Sequence, residues 1–261
     1  MPASRFVSPP FAILLALFSA LAVAQAQKAP AYEPSVGQDG KDVVWVPSPQ
    51  VVVDRMLDMA KVTPADYVID LGSGDGRTVI TAAKRGARAL GIEYNPDLVE
   101  LSKRNAAKER VTDRAKFVKA DLFESEFSQA TVITMFLLPD INLKLRPKIL
   151  TLKPGTRIVS NTFKMGDWEP DEIVEVWPKE GCDTSWCTAL LWIVPARVAG
   201  THKLPQGELN LKQDFQMLSG TLRTEGKTHA LQGKVRGDEI AFKAGGLEYR
   251  GKVNGGRLEL R

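Results

Sequence analysis

The sequence predicts an α/β protein, a mostly parallel sheet covered by helices on both faces, followed by a small antiparallel β domain. Three observations carry this. From residue 67 to about 163, short apolar runs alternate with stretches of helical period, the pattern of strands buried on both faces. Within that region the first strand runs into a helix through a glycine-rich turn. Beyond Pro195 helical period disappears, and residues 207–261 hold only short alternating segments separated by Gly, Asp and Asn.

The elements follow in order. Ser48-Pro49 is expected to start a helix, Ser as N-cap and Pro at the first helical position, with Val52, Val53, Met56, Leu57 and Ala60 as its buried face. Strands are expected at 67–71, 89–93, 115–119, 131–137 and 156–163. Helices are expected at 77–85, 96–108 and 141–152, the last stopped by Pro154-Gly155. Two more strands, 172–176 and 188–195, flank a loop containing Cys182 and Cys187. In the last region, Gly233-Lys234-Val235-Arg236-Gly237 is echoed by Gly251-Lys252-Val253-Asn254-Gly255, suggesting a hairpin used twice.

The 261 residues are 44% hydrophobic and 25% charged, enough to bury a sizeable core. The net charge of +4 is spread among acidic residues rather than gathered into runs, so no nucleic-acid partner is expected. Arg5 precedes a predominantly apolar run, residues 11–24, which leads into Ala24-Gln25-Ala26, the layout of a secretory signal peptide. The run is shorter than the ~20 residues of a spanning helix. The expected organisation is a signal peptide at 1–26, a linker at 27–44, a ligand-binding domain at 45–197 and the β domain at 205–261. The protein is then secreted or periplasmic, with no membrane span after cleavage; an uncleaved N-terminal anchor is the alternative. In such a compartment Cys182 and Cys187 are a candidate disulfide. No metal is expected, since two sulfurs without a nearby His make a poor site, and His202 and His229 have no partner at ligand spacing.

The chemistry sits in Val68-Ile69-Asp70-Leu71-Gly72-Ser73-Gly74-Asp75-Gly76-Arg77, a strand–turn–helix nucleotide-binding turn. A dinucleotide would need Gly where Arg77 stands. It would also bring phosphate charge against Asp70 at the strand tip, and like charges repel. S-adenosylmethionine (SAM) has no phosphate and carries an ammonium and a sulfonium, so Asp70 favours SAM. Glu93 ends the second strand, where an acid can take both ribose hydroxyls. Asp121, in Ala120-Asp121-Leu122-Phe123 after the third strand, can accept from the adenine amino group. Singly these acids read as solvated loop residues. Together, at the carboxyl ends of three strands, they read as one site with Gly72, Ser73, Gly74 and Leu122.

Asp70-Leu71-Gly72-Ser73-Gly74-Asp75-Gly76-Arg77, Gly91-Ile92-Glu93 and Ala120-Asp121-Leu122-Phe123 resemble three motifs of class I SAM-dependent methyltransferases. The span from Trp45-Val46-Pro47-Ser48-Pro49 to about Asp171 is similar to a narrower group. It includes bacterial proteins and the mitochondrial lysine methyltransferases acting on ATP synthase and the adenine nucleotide translocase. The resemblance implies a Rossmann-like sheet, mostly parallel with an antiparallel last strand, and N-methylation of an acceptor such as protein lysine. Methyl transfer from a sulfonium needs positioning more than a strong base, so no catalytic residue is singled out. The acceptor side is expected in the loops after strands four and five, with Phe136, Pro139, Asn161 and Trp168 as candidates beside Phe163. Asp140 and Asp167 are the nearest candidate proton acceptors, each read first as structural. Two other readings stay open: methylation of an exported small molecule or lipid headgroup, and a non-catalytic SAM or nucleoside binder whose β domain docks a partner.

Overall fold

The computed structural model describes residues 1, 3, 32–205 and 207–261. The expected signal peptide, apart from residues 1 and 3, and the first part of the expected linker lie outside the described residues.

Helix α1 (Gln50–Met59) precedes strand β1 (Tyr67–Leu71), after which helices α2 (Arg77–Lys84) and α3 (Pro96–Lys108) alternate with β2 (Arg88–Glu93) and β3 (Ala115–Lys119). Then come β4 (Val132–Met135), α4 (Pro139–Ile149), β5 (Arg157–Asn161), β6 (Glu172–Glu175) and β7 (Thr188–Ile193). The sheet order is β3-β2-β1-β4-β5-β7-β6. The first five strands run parallel, and β7 runs antiparallel to β5 and β6. This is the expected Rossmann-like architecture. Alternate residues of β1 feed opposite layers. Val68 packs with α1, α2 and α3 residues, whereas Ile69 and Leu71 pack with Ile141, Leu145 and Ile149 of α4. The chain winds outward from β1 to β3, then returns to the other side of β1 to begin β4. That reversal opens a crevice at the carboxyl ends of β1 and β4.

Two local expectations change. Ser48 does not cap α1, whose N-cap is Pro49 with no side-chain bond; its hydroxyl instead accepts from Asn161 Nδ2 at 3.1 Å. Residues 32–44, expected as linker, lie against the fold: Trp45 N donates to Gln38 O at 2.9 Å, and Lys41 pairs with Asp121.

The second sheet is an antiparallel meander of β8 (Gly200–Leu204), β9 (Gly207–Asp214), β10 (Met217–Thr224), β11 (Lys227–Arg236), β12 (Glu239–Ala244), β13 (Leu247–Asn254) and β14 (Arg257–Leu260). Alternate residues, among them Leu209, Leu211, Leu222, Val235 and Phe242, form its core. The repeated glycines begin the two equivalent hairpins. A Cβ on Gly233 would lie 2.3 Å from Ala241 O, and one on Gly251 2.2 Å from Glu259 O.

The β9–β10 turn joins the two sheets. Phe215 stacks on Trp168, centroids 5.8 Å apart, and the Arg146 guanidinium lies 5.1 Å from the Phe215 ring. Gln216 Nε2 donates to Glu169 O at 2.7 Å, and Lys234 Nζ lies 2.7 Å from Asp171 Oδ1. Replacing Phe215 removes both ring contacts at once. Phe215→Ala is expected to lower stability by about 2–3 kcal/mol, read as a shift in urea midpoint.

Candidate active site

The glycine turn is built for close packing. Gly76 takes φ 83°, and a Cβ there would lie 2.8 Å from the Phe117 ring and 2.9 Å from Ser102 Cβ. Gly74, at φ 54°, lies under the Trp45 indole, whose Nε1 would be 2.8 Å from an added Cβ. The carbonyls of the turn are also held: Ser102 Oγ donates to Gly74 O at 2.9 Å and Asn105 Nδ2 to Asp75 O at 3.0 Å. Arg77 forks onto Asp75, at 3.0 and 3.1 Å from Nε, and reaches Ser48 O at 2.7 Å. Arg77 therefore ties the turn to the start of α1.

Two adjoining cavities open over this turn, both lined by Trp45, Val46, Gly72, Gly74 and Phe136. Asp70 and Ser73 line the inner one. Glu93, Asp121 and Leu122 line the outer one. The structure thus brings the sequence-predicted acids and glycines to one crevice. Ser73 Oγ is buried without a hydrogen-bond partner among the described residues, packed where a Cβ on Gly91 would fall.

The three carboxylates differ in environment. Asp70 is 5% exposed, and its Oδ1 accepts from Thr134 Oγ1 at 2.6 Å across the β1–β4 register. Burial pushes its pKa up to about 7, with the nearby Glu93 and Asp75 charges adding to the rise and hydroxyls of Thr134 and Thr78 opposing it. Glu93 accepts from Gly74 N and Asn95 N, each at 2.9 Å, which fixes its carboxylate at the tip of β2. Asp121 accepts from Lys41 and from Phe123 N, and the Lys41 ammonium chiefly holds it below the ordinary carboxylate range. Lys41 Nζ also sits 4.8 Å from the Tyr94 ring centroid, and both residues line the outer cavity.

The acceptor-side candidates divide. Phe136 lines both cavities and packs against Phe163 at 6.0 Å. Trp168 does not face the crevice: it is 0% exposed, between Trp192 and Phe215. Its apolar bulk serves the joint between the sheets. Asn161 is fully buried, bonding Ser48 and Thr162 at the end of β5, and lines neither cavity. Pro139 is exposed in the first turn of α4, away from both linings. Asp140 is exposed, and Asp167 pairs with Arg146, which holds its carboxyl below the usual range. Neither aspartate lines a cavity.

Sequence reasoning missed Thr134, Trp45 and Lys41. Thr134 had a signal, a lone hydroxyl inside the apolar run Val132-Ile133-Thr134-Met135. The other two are brought to the crevice by a segment without periodicity, which no local pattern places.

A parallel sheet with its crevice at the β1–β4 reversal, acids at three strand tips and a glycine turn beneath them defines a class I SAM-binding enzyme. Comparison with known proteins agrees. The family model of the ANTKMT methyltransferase domain matches residues 70–172. A protein-lysine N-methyltransferase of Saccharolobus islandicus is 48% identical over 137 residues, covering 51% of this chain and 85% of that protein. A human lysine N-methyltransferase named for ATP synthase is 36% identical over 143 residues, covering 54% of this chain and 59% of that protein. The crystal structure of an RNA methyltransferase from Salinibacter ruber in complex with S-adenosyl-L-homocysteine is 47% identical, with a TM-score of 0.54, covering 59% of this chain and 96% of that one. The chain belongs to this family of SAM-dependent methyltransferases. The two relatives and the solved structure match 51–59% of this chain, and the family model less than half of it.

Asp70 makes the stability of the ligand-free protein depend on pH. The folded chain keeps its proton up to about 7, whereas an ordinary carboxyl releases it near 3.8. Between these values the folded state binds more protons, so this group's contribution lowers stability as pH rises, and the loss is complete above about 7. Asp70→Asn removes this slope. It is expected to be more stable than the parent chain at pH 8, by up to roughly 4 kcal/mol, in urea unfolding compared at pH 5 and pH 8.

Proposed function

We propose that this methyltransferase binds SAM across the two cavities and methylates a lysine-type amine on a protein. The observation that carries the cofactor placement is the buried Asp70 carboxylate lining the inner cavity, with no cation among the described residues bonded to it. The three carboxylates, all hydrogen-bond acceptors, fit the ligand's donors. Asp70 would meet the ammonium, Glu93 the ribose hydroxyls and Asp121 the adenine amino group, with Leu122 beside the base. Gly72 and Gly74 allow close approach, and Ser73 completes the turn. Bound there, SAM supplies an electrophilic methyl group. The chain's own residues orient it and, at Phe136, present an apolar face that strips water from an incoming amine. The lysine acceptor is supported by the names of the relatives from Saccharolobus islandicus and human. Localisation outside the cytosol is proposed separately, on the signal-peptide layout of residues 5–26 and the Cys182–Cys187 disulfide.

Calorimetric titration with SAM tests the cofactor placement. The ammonium selects ionised Asp70, so affinity should rise about tenfold per pH unit toward 7, level off, and fall again as α-amino groups lose their proton near 8. Asp70→Asn should weaken binding by about 10- to 100-fold and flatten the acidic limb. An unchanged affinity in this variant overturns the placement.

Incubation with methyl-labelled SAM and an envelope extract tests the acceptor. Label recovered as methyl-lysine after hydrolysis of the protein fraction is expected. Label confined to RNA, as the name of the Salinibacter ruber structure would suggest, or to small molecules overturns the lysine reading.

A further inference from the structure

Phe136 is the one acceptor-side candidate that lines the cavities, and it does not stand alone. Phe163 lies 6.0 Å from it with rings 16° from parallel, and Trp186 lies 5.9 Å from Phe136 and 5.4 Å from Phe163. All three are half-buried. They form a contiguous aromatic surface running outward from the cofactor crevice. At these separations the rings touch one another, so they make a wall rather than a cage around a cation.

Three elements far apart in sequence supply this wall, and each is held in place. Phe136 follows β4. Phe163 follows β5 through Thr162, a β-branched residue at φ 62°, a conformation that usually costs on the order of 1–3 kcal/mol. Hydrogen bonds hold that strained turn: Thr162 N donates to Thr188 O and Phe163 N to Asn161 O, both at 2.7 Å. Trp186 comes from the loop before β7, which the disulfide between Cys182 and Cys187 closes. One end of the loop is anchored by Cys182, buried in the main core, and the other by Cys187 O accepting from Val176 N at 2.8 Å. The Trp186 N–H donates to Thr184 Oγ1 at 3.1 Å within the loop. Because β7 is antiparallel to β5, its start lies beside the end of β5. A loop that would otherwise belong to the opposite edge is thereby delivered to the acceptor side. The strained turn and the disulfide loop meet at Thr188, directly after Cys187.

We infer that Trp186, fixed by the Cys182–Cys187 loop, is an acceptor-positioning residue that with Phe136 and Phe163 guides the aliphatic stem of an amine toward the methyl donor. This rests on the amine reading given above. The loop lies beyond residue 172, where the matched family domain ends. A flat aromatic face suits a methylene chain carrying a terminal nitrogen, because it packs the stem without offering that nitrogen a hydrogen bond.

The test compares Trp186→Ala, Trp186→Phe and the double variant C182S/C187S with the parent chain. Each is titrated with SAM, then assayed with labelled SAM on the acceptor fraction that the parent chain labels. Trp186→Ala is expected to bind SAM within twofold of the parent and to raise the KM for acceptor at least tenfold, with kcat changed less than threefold. Trp186→Phe should recover most of the affinity for acceptor. The disulfide-free variant should show the same acceptor defect with SAM binding kept. Trp186→Ala with an unchanged acceptor KM, or with SAM affinity lost to the same degree, overturns the assignment. If the parent chain labels an acceptor other than lysine, the lysine reading fails separately, and the wall is judged on that acceptor by the same ratio.

Discussion

The hydrogen bond from Thr134 to Asp70 joins the two central strands of the sheet where the winding of the chain reverses. Its partners are opposite one another in the β1–β4 register, and both are buried. Enclosed in this way, the carboxyl group holds its proton up to about 7 in the ligand-free chain, and in the proposed complex it faces the ammonium of the cofactor. The rest of the crevice depends on that arrangement. The glycine turn must bend sharply enough to leave the carboxylate open on one side, and Arg77 must draw Asp75 away from it toward α1. Glu93 is kept at the neighbouring tip by two backbone donors, which leaves the cluster of negative charge spread along the rim instead of collapsed into one point.

The proposed cofactor half and the proposed acceptor half of the site come from different parts of the sheet. The tips of β1, β2 and β3 carry the acids. The loops after β4 and β5, with the one before β7, carry the aromatic rings, and Phe136 is the residue the two halves share. Residues 37–46 lie across the acids, with Trp45 on the turn and Lys41 on Asp121. Among the described residues, none of the second sheet lines either cavity. It is fastened through Phe215 and Gln216 to residues 168 and 169, a few positions beyond Phe163.

Much of this was legible from sequence because periodicity and strand tips are local properties. Continuous apolar runs marked the parallel strands, and the acids stood at or within two positions of a strand's carboxyl end, so a parallel sheet gathers them. The residues that escaped are those whose role is set by partners distant in the chain. Ser48 reads as a helix cap until Asn161, 113 positions away, takes its hydroxyl. Trp168 reads as a rim aromatic until the second sheet covers it. Residues 32–44 read as a linker because Gly, Pro and polar residues give no period, yet a few specific contacts hold them on the crevice. The aromatic trio was half visible: Phe136 and Phe163 follow predicted strands, whereas Trp186 reaches them only because β7 runs backward.

That reversal of β7 separates two kinds of change. In a sheet of parallel strands alone, loops at the opposite edge are remote from chemistry, and altering an acceptor preference means altering loops that also cradle the cofactor. Here the β6–β7 connection meets Phe136 and Phe163, on the side proposed for the acceptor, and none of its residues lines either cavity. A change in its length or crosslinking would act first on the aromatic wall, through Trp186. A scaffold of this kind can diversify what it modifies while keeping unchanged how it is supplied with methyl groups.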